Sequence, residues 1–151
     1  MAKDFINYIM SAEGQKVVED NGYIAVEGAE AFEGTQPSGK AVVGGSSSVS
    51  PVMEKLAEAY KEVNPNAEIE LQTTDSTTGM TSAIDGSYDI GMASRELKEE
   101  EIAELDAKVI ATDGIAVIVN NNNAMDELSS DQVKAIYTGE ALTWDEVVEV
   151  K

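Results

Sequence analysis

The chain has 151 residues, 29 acidic and 10 basic side chains, a formal net charge of −19, no histidine and no cysteine. This length and the hydrophobic share of 42% predict one globular domain, and the missing residue types exclude Ser-His-Asp and Cys-His catalysis, thiol chemistry and disulfides. The charge argues against nucleic acids and anionic membranes as partners, because both would repel the chain.

The chain opens on apolar residues at helical spacing: Phe5, Ile6, Ile9 and Met10. Acidic and polar residues interrupt them, which predicts a helix and not a signal peptide. No apolar run approaches the ~20 residues of a membrane span. Ser11 predicts the N-cap of a second helix, which ends at Asn21-Gly22. Without an export signal, the chain as given is expected to stay in the cytoplasm.

The segment Glu27 to Lys40 differs from both of its neighbours. It is acidic and glycine-rich, lacks hydrophobic periodicity and ends on Pro37-Ser38-Gly39-Lys40. This composition is typical of a linker.

From Lys40 onward, short apolar runs alternate with amphipathic stretches. Strands are predicted at Ala41–Val43, Ile69–Leu71 and Tyr88–Met92, and helices at Pro51–Tyr60, Met80–Asp85, Lys98–Leu105 and Ser130–Tyr137. The alternation predicts an α/β fold with a mostly parallel sheet flanked by helices.

Three of the predicted strands end in clusters of small hydroxyl residues: Ser46-Ser47-Ser48, Ser76-Thr77-Thr78 and Ser94. In open α/β sheets, ligands bind at the carboxyl ends of the strands. Two clusters also precede helices, whose first N–H groups attract anions. The pattern therefore predicts an anion site rich in hydrogen-bond donors. The alternative is that these residues are ordinary helix N-caps.

Arg95 is the only arginine and follows the third cluster directly. Its guanidinium could bind an oxyanion in a fork, or form a salt bridge with Glu96, Glu99 or another acid.

The acidic helix from Lys98 is interpreted as a solvated face and not as a metal site. Trp144, the only tryptophan, is expected to pack in the core. Neither a metal nor an organic cofactor is predicted.

Four segments resemble the phosphate-binding proteins of ABC transporters. They are AVVGGSSSVSPVMEKLAEAY, DSTTGMTSAIDGSYDIGMASREL, DGIAVIVN and AIYTGEALTWDEV, and they occur in the order found in that family. The resemblance implies a three-layer lobe of a type II periplasmic-binding-protein fold, in which two such lobes close on phosphate. It also implies an extracellular or periplasmic parent, soluble or membrane-anchored, that docks on an ABC permease.

The resemblance assigns phosphate-binding roles to the hydroxyl clusters. Ser47 would donate its hydroxyl and Ser48 its backbone N–H, while Ser76, Thr77 and Ser94 would donate from the other two strand ends. Ser46 and Arg95 are further candidates. The best-known family members carry an aspartate, which accepts the proton of phosphate, where this chain has Ser94. Asp75 is a candidate replacement for that acceptor.

The opening segment AKDFINYIMSAEGQKVVEDNGYIAV resembles the closing helices of the same family. This implies a circular permutation, with residues 1–26 as the family's C-terminal segment, 27–40 as a linker and 41–151 as the N-terminal part of the first lobe. We therefore expect an isolated, permuted first lobe of engineered origin.

A single lobe would hold only part of a phosphate site, so weak or no affinity for inorganic phosphate is expected of the chain alone. The alternative is a stable scaffold domain without a ligand. An enzyme is not expected, because no nucleophile–base pair and no phosphate-binding P-loop motif occur; a hydrolase based on carboxylate and serine is the least favoured possibility.

Overall fold

A computed structural model of the chain describes residues 1–114, 116–123 and 125–150. The chain divides into two units, Met1–Gly114 and Ile115–Lys151, which are described separately. Within the described ranges, no helix combines the length and apolar character needed to cross a bilayer.

The first unit contains a three-stranded, entirely parallel sheet. Its strands are β1 (Gly39–Ser46), β2 (Ala67–Thr74) and β3 (Ile90–Met92), in the order β2-β1-β3. In the register, Val43 of β1 lies opposite Leu71 of β2 and Ile90 of β3. All three predicted strands are confirmed. β1 is longer than predicted, because strand geometry continues through its glycines to Ser46.

Helices precede the sheet and alternate with its strands. The first unit contains α1 (Ala2–Ile9), α2 (Ala12–Asp20), α3 (Ser50–Val63), α4 (Ser76–Ile84) and α5 (Glu99–Ile102). α5 is shorter than the predicted helix Lys98–Leu105. The second unit contains α6 (Ser130–Thr138) and α7 (Trp144–Glu149). α7 was missed by the sequence prediction, although Thr143 and Glu146 form a capping box at its start.

The sheet lies between two helical layers. Side chains alternate between its faces, and Val43 and Met92 pack into one core with Leu56 and Tyr60 of α3. On the opposite face, a Cβ at Gly91 would meet Met80 and Ala83 of α4. The expected three-layer α/β lobe is thus present in the first unit.

The opening helices belong to the same core as the sheet. Phe5, Tyr8 and Ile9 of α1 and Val18 of α2 are buried in one cluster with the residues of α3 and β1. The Tyr60 hydroxyl donates to Asp4 Oδ2 at 2.7 Å, across 56 positions of the sequence. The start of the chain therefore packs on the lobe and does not point away from it.

Residues 27–38, all of which the structure describes, contain no helix or strand. Hydrogen bonds nevertheless fasten the segment at several points. The Ala12 amide donates to Glu30 O at 2.7 Å, the Thr35 amide to Asp4 Oδ1 at 2.9 Å, and Asn64 Nδ2 to Pro37 O at 2.9 Å. The segment is irregular in conformation but bound to the lobe along its length.

In the second unit, α6 and α7 pack around Ala135, Ala141 and Val147. Trp144 is 45% exposed, so the prediction of core packing for this side chain is wrong. Trp144 is the first residue of α7, and Val147, three positions later, takes the inward-facing place.

Candidate anion-binding site

The hydroxyl clusters meet at one edge of the sheet. Because the strands are parallel, their carboxyl ends lie side by side. The Ser46 hydroxyl donates to Ser94 Oγ at 2.9 Å, Ser76 Oγ lies 3.4 Å from Ser94 Oγ, and the Ser94 amide donates to Ser76 Oγ at 3.2 Å. The structure thus joins one serine from each predicted cluster in a triad, Ser46–Ser94–Ser76.

Glycines allow the start of α4 to come this close to the sheet. A Cβ at Gly79 would lie 2.8 Å from the Gly45 Cα and 2.9 Å from the Met92 carbonyl oxygen. Gly45 itself has φ +139, and a Cβ there would be 2.2 Å from the same oxygen. The absence of side chains at both positions lets α4 lie against β1 and β3, with Ser76 beside Ser94. Sequence reasoning missed this contact.

Ser47 and Ser48 occupy the exposed turn between β1 and α3. Within residues 1–114, no side chain caps the start of α3, whose N-cap residue is Val49. The first N–H groups of this 14-residue helix therefore lack a side-chain acceptor and carry the positive end of its dipole. The N-cap interpretation of these serines is wrong for α3.

At α4, Asp75 caps the helix. Its carboxylate accepts hydrogen bonds from the Thr77 amide at 2.9 Å, the Thr78 amide at 3.0 Å and the Thr78 hydroxyl at 2.7 Å. The Thr78 hydroxyl and amide hold the pKa of Asp75 below its usual value. The two amides are thus already used, and a charged carboxylate lies next to Ser76.

Arg95 forms a salt bridge, which is one of the two predicted alternatives. Its NH1 and NH2 groups donate to the two carboxylate oxygens of Glu101, both at 2.8 Å, and NH1 also donates to Glu96 O at 2.9 Å. NH2 reaches Thr77 Oγ1 at 3.5 Å. The guanidinium therefore lies beside the start of α4, with its fork held by Glu101.

Glu101 is the site residue that the sequence prediction missed. It is only 6% exposed, although it belongs to the acidic stretch interpreted as a solvated face. The hydrogen bonds from Arg95 and from the Lys98 amide lower its pKa to about 2. Glu101 accepts from the amide of the helix N-cap residue Lys98, but nothing local in the sequence indicates Arg95 as its partner. Among the described residues, no group of acidic side chains is arranged to hold a metal ion.

A family model for a PBP superfamily domain matches residues 30–150. This chain belongs to the PBP superfamily. The phosphate-binding protein PstS 2 of Streptococcus agalactiae is 56% identical over 146 residues, which are 96% of this chain and 50% of that protein. PstS 2 of Streptococcus pneumoniae is 44% identical over 97% of this chain and 51% of its own length. This chain thus spans about half the length of the curated relatives it matches.

Solved structures agree with this assignment. A phosphate-binding protein of a phosphate ABC transporter from S. pneumoniae superimposes with a TM-score of 0.88 at 43% identity, covering 96% of this chain and 57% of that one. A candidate phosphate ABC transporter substrate-binding protein from Clostridium perfringens, solved with bound phosphate, gives 0.57 at 43% identity, covering 73% and 46%. The predicted family and fold class are confirmed. The relatives and structures described above are named as phosphate-binding or substrate-binding proteins, in line with the expectation of a binding protein.

The streptococcal matches take in 96–97% of the chain and so reach into its opening helices, whereas the match to PstS of Staphylococcus aureus takes in 72% of the chain. The circular permutation and the engineered origin of the chain stay predictions.

Proposed function

We propose that this chain forms one lobe of the phosphate-binding protein of an ABC transporter, and that the triad Ser46–Ser94–Ser76 lies at its half of the phosphate site. The observation that carries this proposal is the convergence of hydroxyls from three strand ends within 2.9–3.4 Å of one another. Homology to proteins named for phosphate binding supports the choice of anion.

In this proposal, phosphate is held by hydrogen bonds from the lobe and not by a cationic side chain. Ser47 donates its hydroxyl and Ser48 its N–H at the start of α3, while Ser76, Ser94 and the Thr77 hydroxyl donate from the other two strand ends. Arg95 contributes little, because Glu101 occupies its fork. The net charge of −19 does not prevent binding, since salt screens distant charges beyond about 10 Å whereas the dipole of α3 acts at the site.

The affinity of this lobe alone is expected to be low. A hydrogen bond to a charged group is worth roughly 1.5–3 kcal/mol. Three or four such bonds from a second lobe would add about 5–10 kcal/mol, whereas micromolar binding needs about 8 kcal/mol in total. We therefore expect millimolar or weaker binding of inorganic phosphate by the 151-residue chain.

The whole protein is proposed to bind phosphate between two lobes outside the cytoplasm and to deliver it to an ABC permease. The homologues named for phosphate ABC transport support this role, as does the shared fold.

An amide NMR titration tests the proposal. Inorganic phosphate should shift the amides of Ser47, Ser48, Ser76 and Ser94, whereas chloride at equal ionic strength should not. Calorimetry that gave micromolar affinity would contradict the assignment of a half-site. If phosphate and chloride produced the same shifts at every concentration, the chain would be a scaffold without a phosphate site.

A further inference from the structure

The hydroxyl of Ser46 lies behind the proposed site and does not face the ligand. Ser46 is the last residue of β1 and is 3% exposed, whereas Ser94 is exposed at the end of β3. Its hydroxyl is directed at Ser94 Oγ, 2.9 Å away. Direct contact with an anion would require this buried side chain to give up that hydrogen bond.

The hydrogens of the triad can be assigned one by one. Each serine hydroxyl has one hydrogen to donate and two lone pairs that accept. Ser46 gives its hydrogen to Ser94 Oγ, and the Ser94 amide occupies a lone pair of Ser76 Oγ. Ser76 Oγ and Ser94 Oγ lie 3.4 Å apart, and either hydroxyl can donate to the other. At least one of these two hydroxyl hydrogens is therefore left for an anion at the exposed side of the triad.

We propose that Ser46 is a positioning residue, which orients the hydroxyl of Ser94 so that its hydrogen points to bound phosphate. This inference rests on the proposed function of the site. Because the Ser46 hydroxyl donates to Ser94 Oγ from the buried side, the Ser94 hydroxyl cannot point its own hydrogen toward Ser46. Without Ser46, the Ser94 hydroxyl can turn inward, so that its hydrogen points away from the anion.

The size of the effect follows from the number of hydroxyl orientations. If Ser46→Ala leaves the Ser94 hydroxyl distributed over three staggered orientations, the competent one is populated about one-third of the time. The apparent dissociation constant for phosphate then rises about threefold. Ser94→Ala removes the hydrogen bond itself and should weaken binding at least about tenfold.

A double-mutant cycle on the full chain separates positioning from direct contact. Phosphate dissociation constants are measured by amide NMR for the wild type, Ser46→Ala, Ser94→Ala and the double variant, whose amide spectra also report the fold. If Ser46 acts through Ser94, Ser46→Ala causes no further loss in the Ser94→Ala background. The control is Thr73→Ala, which removes another 2.9 Å hydroxyl–hydroxyl bond, to Ser50, and should leave the affinity unchanged.

The possible outcomes are distinct. Additive losses from the two serine variants would overturn the positioning role and make Ser46 a direct ligand, while the proposed function would stand. An unchanged affinity in Ser46→Ala would also overturn it. If the wild type shows no phosphate-specific shifts, the proposed function fails, and the positioning role fails with it.

Discussion

Adding one methyl group at Gly79 is expected to push α4 away from the sheet. The new Cβ would lie 2.8 Å from the Gly45 Cα, 2.9 Å from the Met92 carbonyl oxygen and 3.0 Å from the Gly44 carbonyl oxygen. Ordinary contacts begin at 3.4 Å, so the three distances are short by 0.6, 0.5 and 0.4 Å. All three atoms belong to the backbone of β1 and β3, which cannot rotate out of the way.

Two opposing terms determine the stability of Gly79→Ala. Overpacking costs about 1–3 kcal/mol, whereas replacing glycine by alanine inside a helix contributes roughly 0.5–1 kcal/mol of stability. The net loss is therefore about 0–2.5 kcal/mol, centred near 1 kcal/mol. For a loss of about 1 kcal/mol and a urea slope of about 1–3 kcal/mol per molar, the unfolding midpoint should fall by about 0.3–1 M. The amides of Ser76 and Ser94 should shift, because their separation depends on this contact.

Gly114→Ala is the matched control. Among the described residues, a Cβ at Gly114 meets nothing within 4 Å, and its φ is not in the left-handed region. The free energy of unfolding of Gly114→Ala should therefore stay within about 0.5 kcal/mol of the wild-type value. A Gly79→Ala variant at least as stable as the wild type would refute the close-packing argument, since helix propensity alone would then decide the outcome.

Three further predictions concern other contacts. The pKa of Glu101 is lowered from 4.5 to about 2. Its charged form therefore stabilises the fold fully above pH 4.5, and this stabilisation is lost as the pH falls through about 2. In an acid-unfolding curve followed by circular dichroism, Glu101→Gln should flatten this part of the curve. Tyr60→Phe removes the 2.7 Å hydrogen bond to Asp4 Oδ2 and should lower the free energy of unfolding in urea by about 1–3 kcal/mol; an unchanged midpoint would contradict the role of that bond. Asp75→Ala removes the cap of α4 and should cost about 0.5–2 kcal/mol, measured by thermal unfolding, with Asp75→Asn losing much less.

The parts of the fold that could be predicted from sequence are those with a local signal. The spacing of Val52, Leu56 and Tyr60 predicts the buried face of α3, and these side chains are 0–2% exposed. The alternation of strands and helices predicts a parallel sheet. Parallel strands then require that Ser46, Ser76 and Ser94 share one edge, and the hydrogen bonds among them agree.

The parts that could not be predicted depend on partners distant in sequence or on the absence of a side chain. Glu101 looks like its exposed neighbours Glu99 and Glu100, and only the folded chain brings it onto Arg95. Gly79 carries no periodic or turn signal, and its role becomes visible only when β1 and β3 lie beneath it. The exposure of Trp144 could not be predicted either, because it depends on which face of α7 packs against α6.

The shared core of the opening helices and α3 has a consequence for synthesis of the chain. The apolar face of α1 is completed by Tyr60, whose hydroxyl meets Asp4 across 56 residues. At about 5–20 residues per second, the ribosome needs roughly 3–11 s to add that many residues. During this interval Phe5, Tyr8 and Ile9 lack the partners that bury them. α1 is thus synthesised before α3 but packs only after α3 has emerged, and its apolar face stays uncovered in the interval.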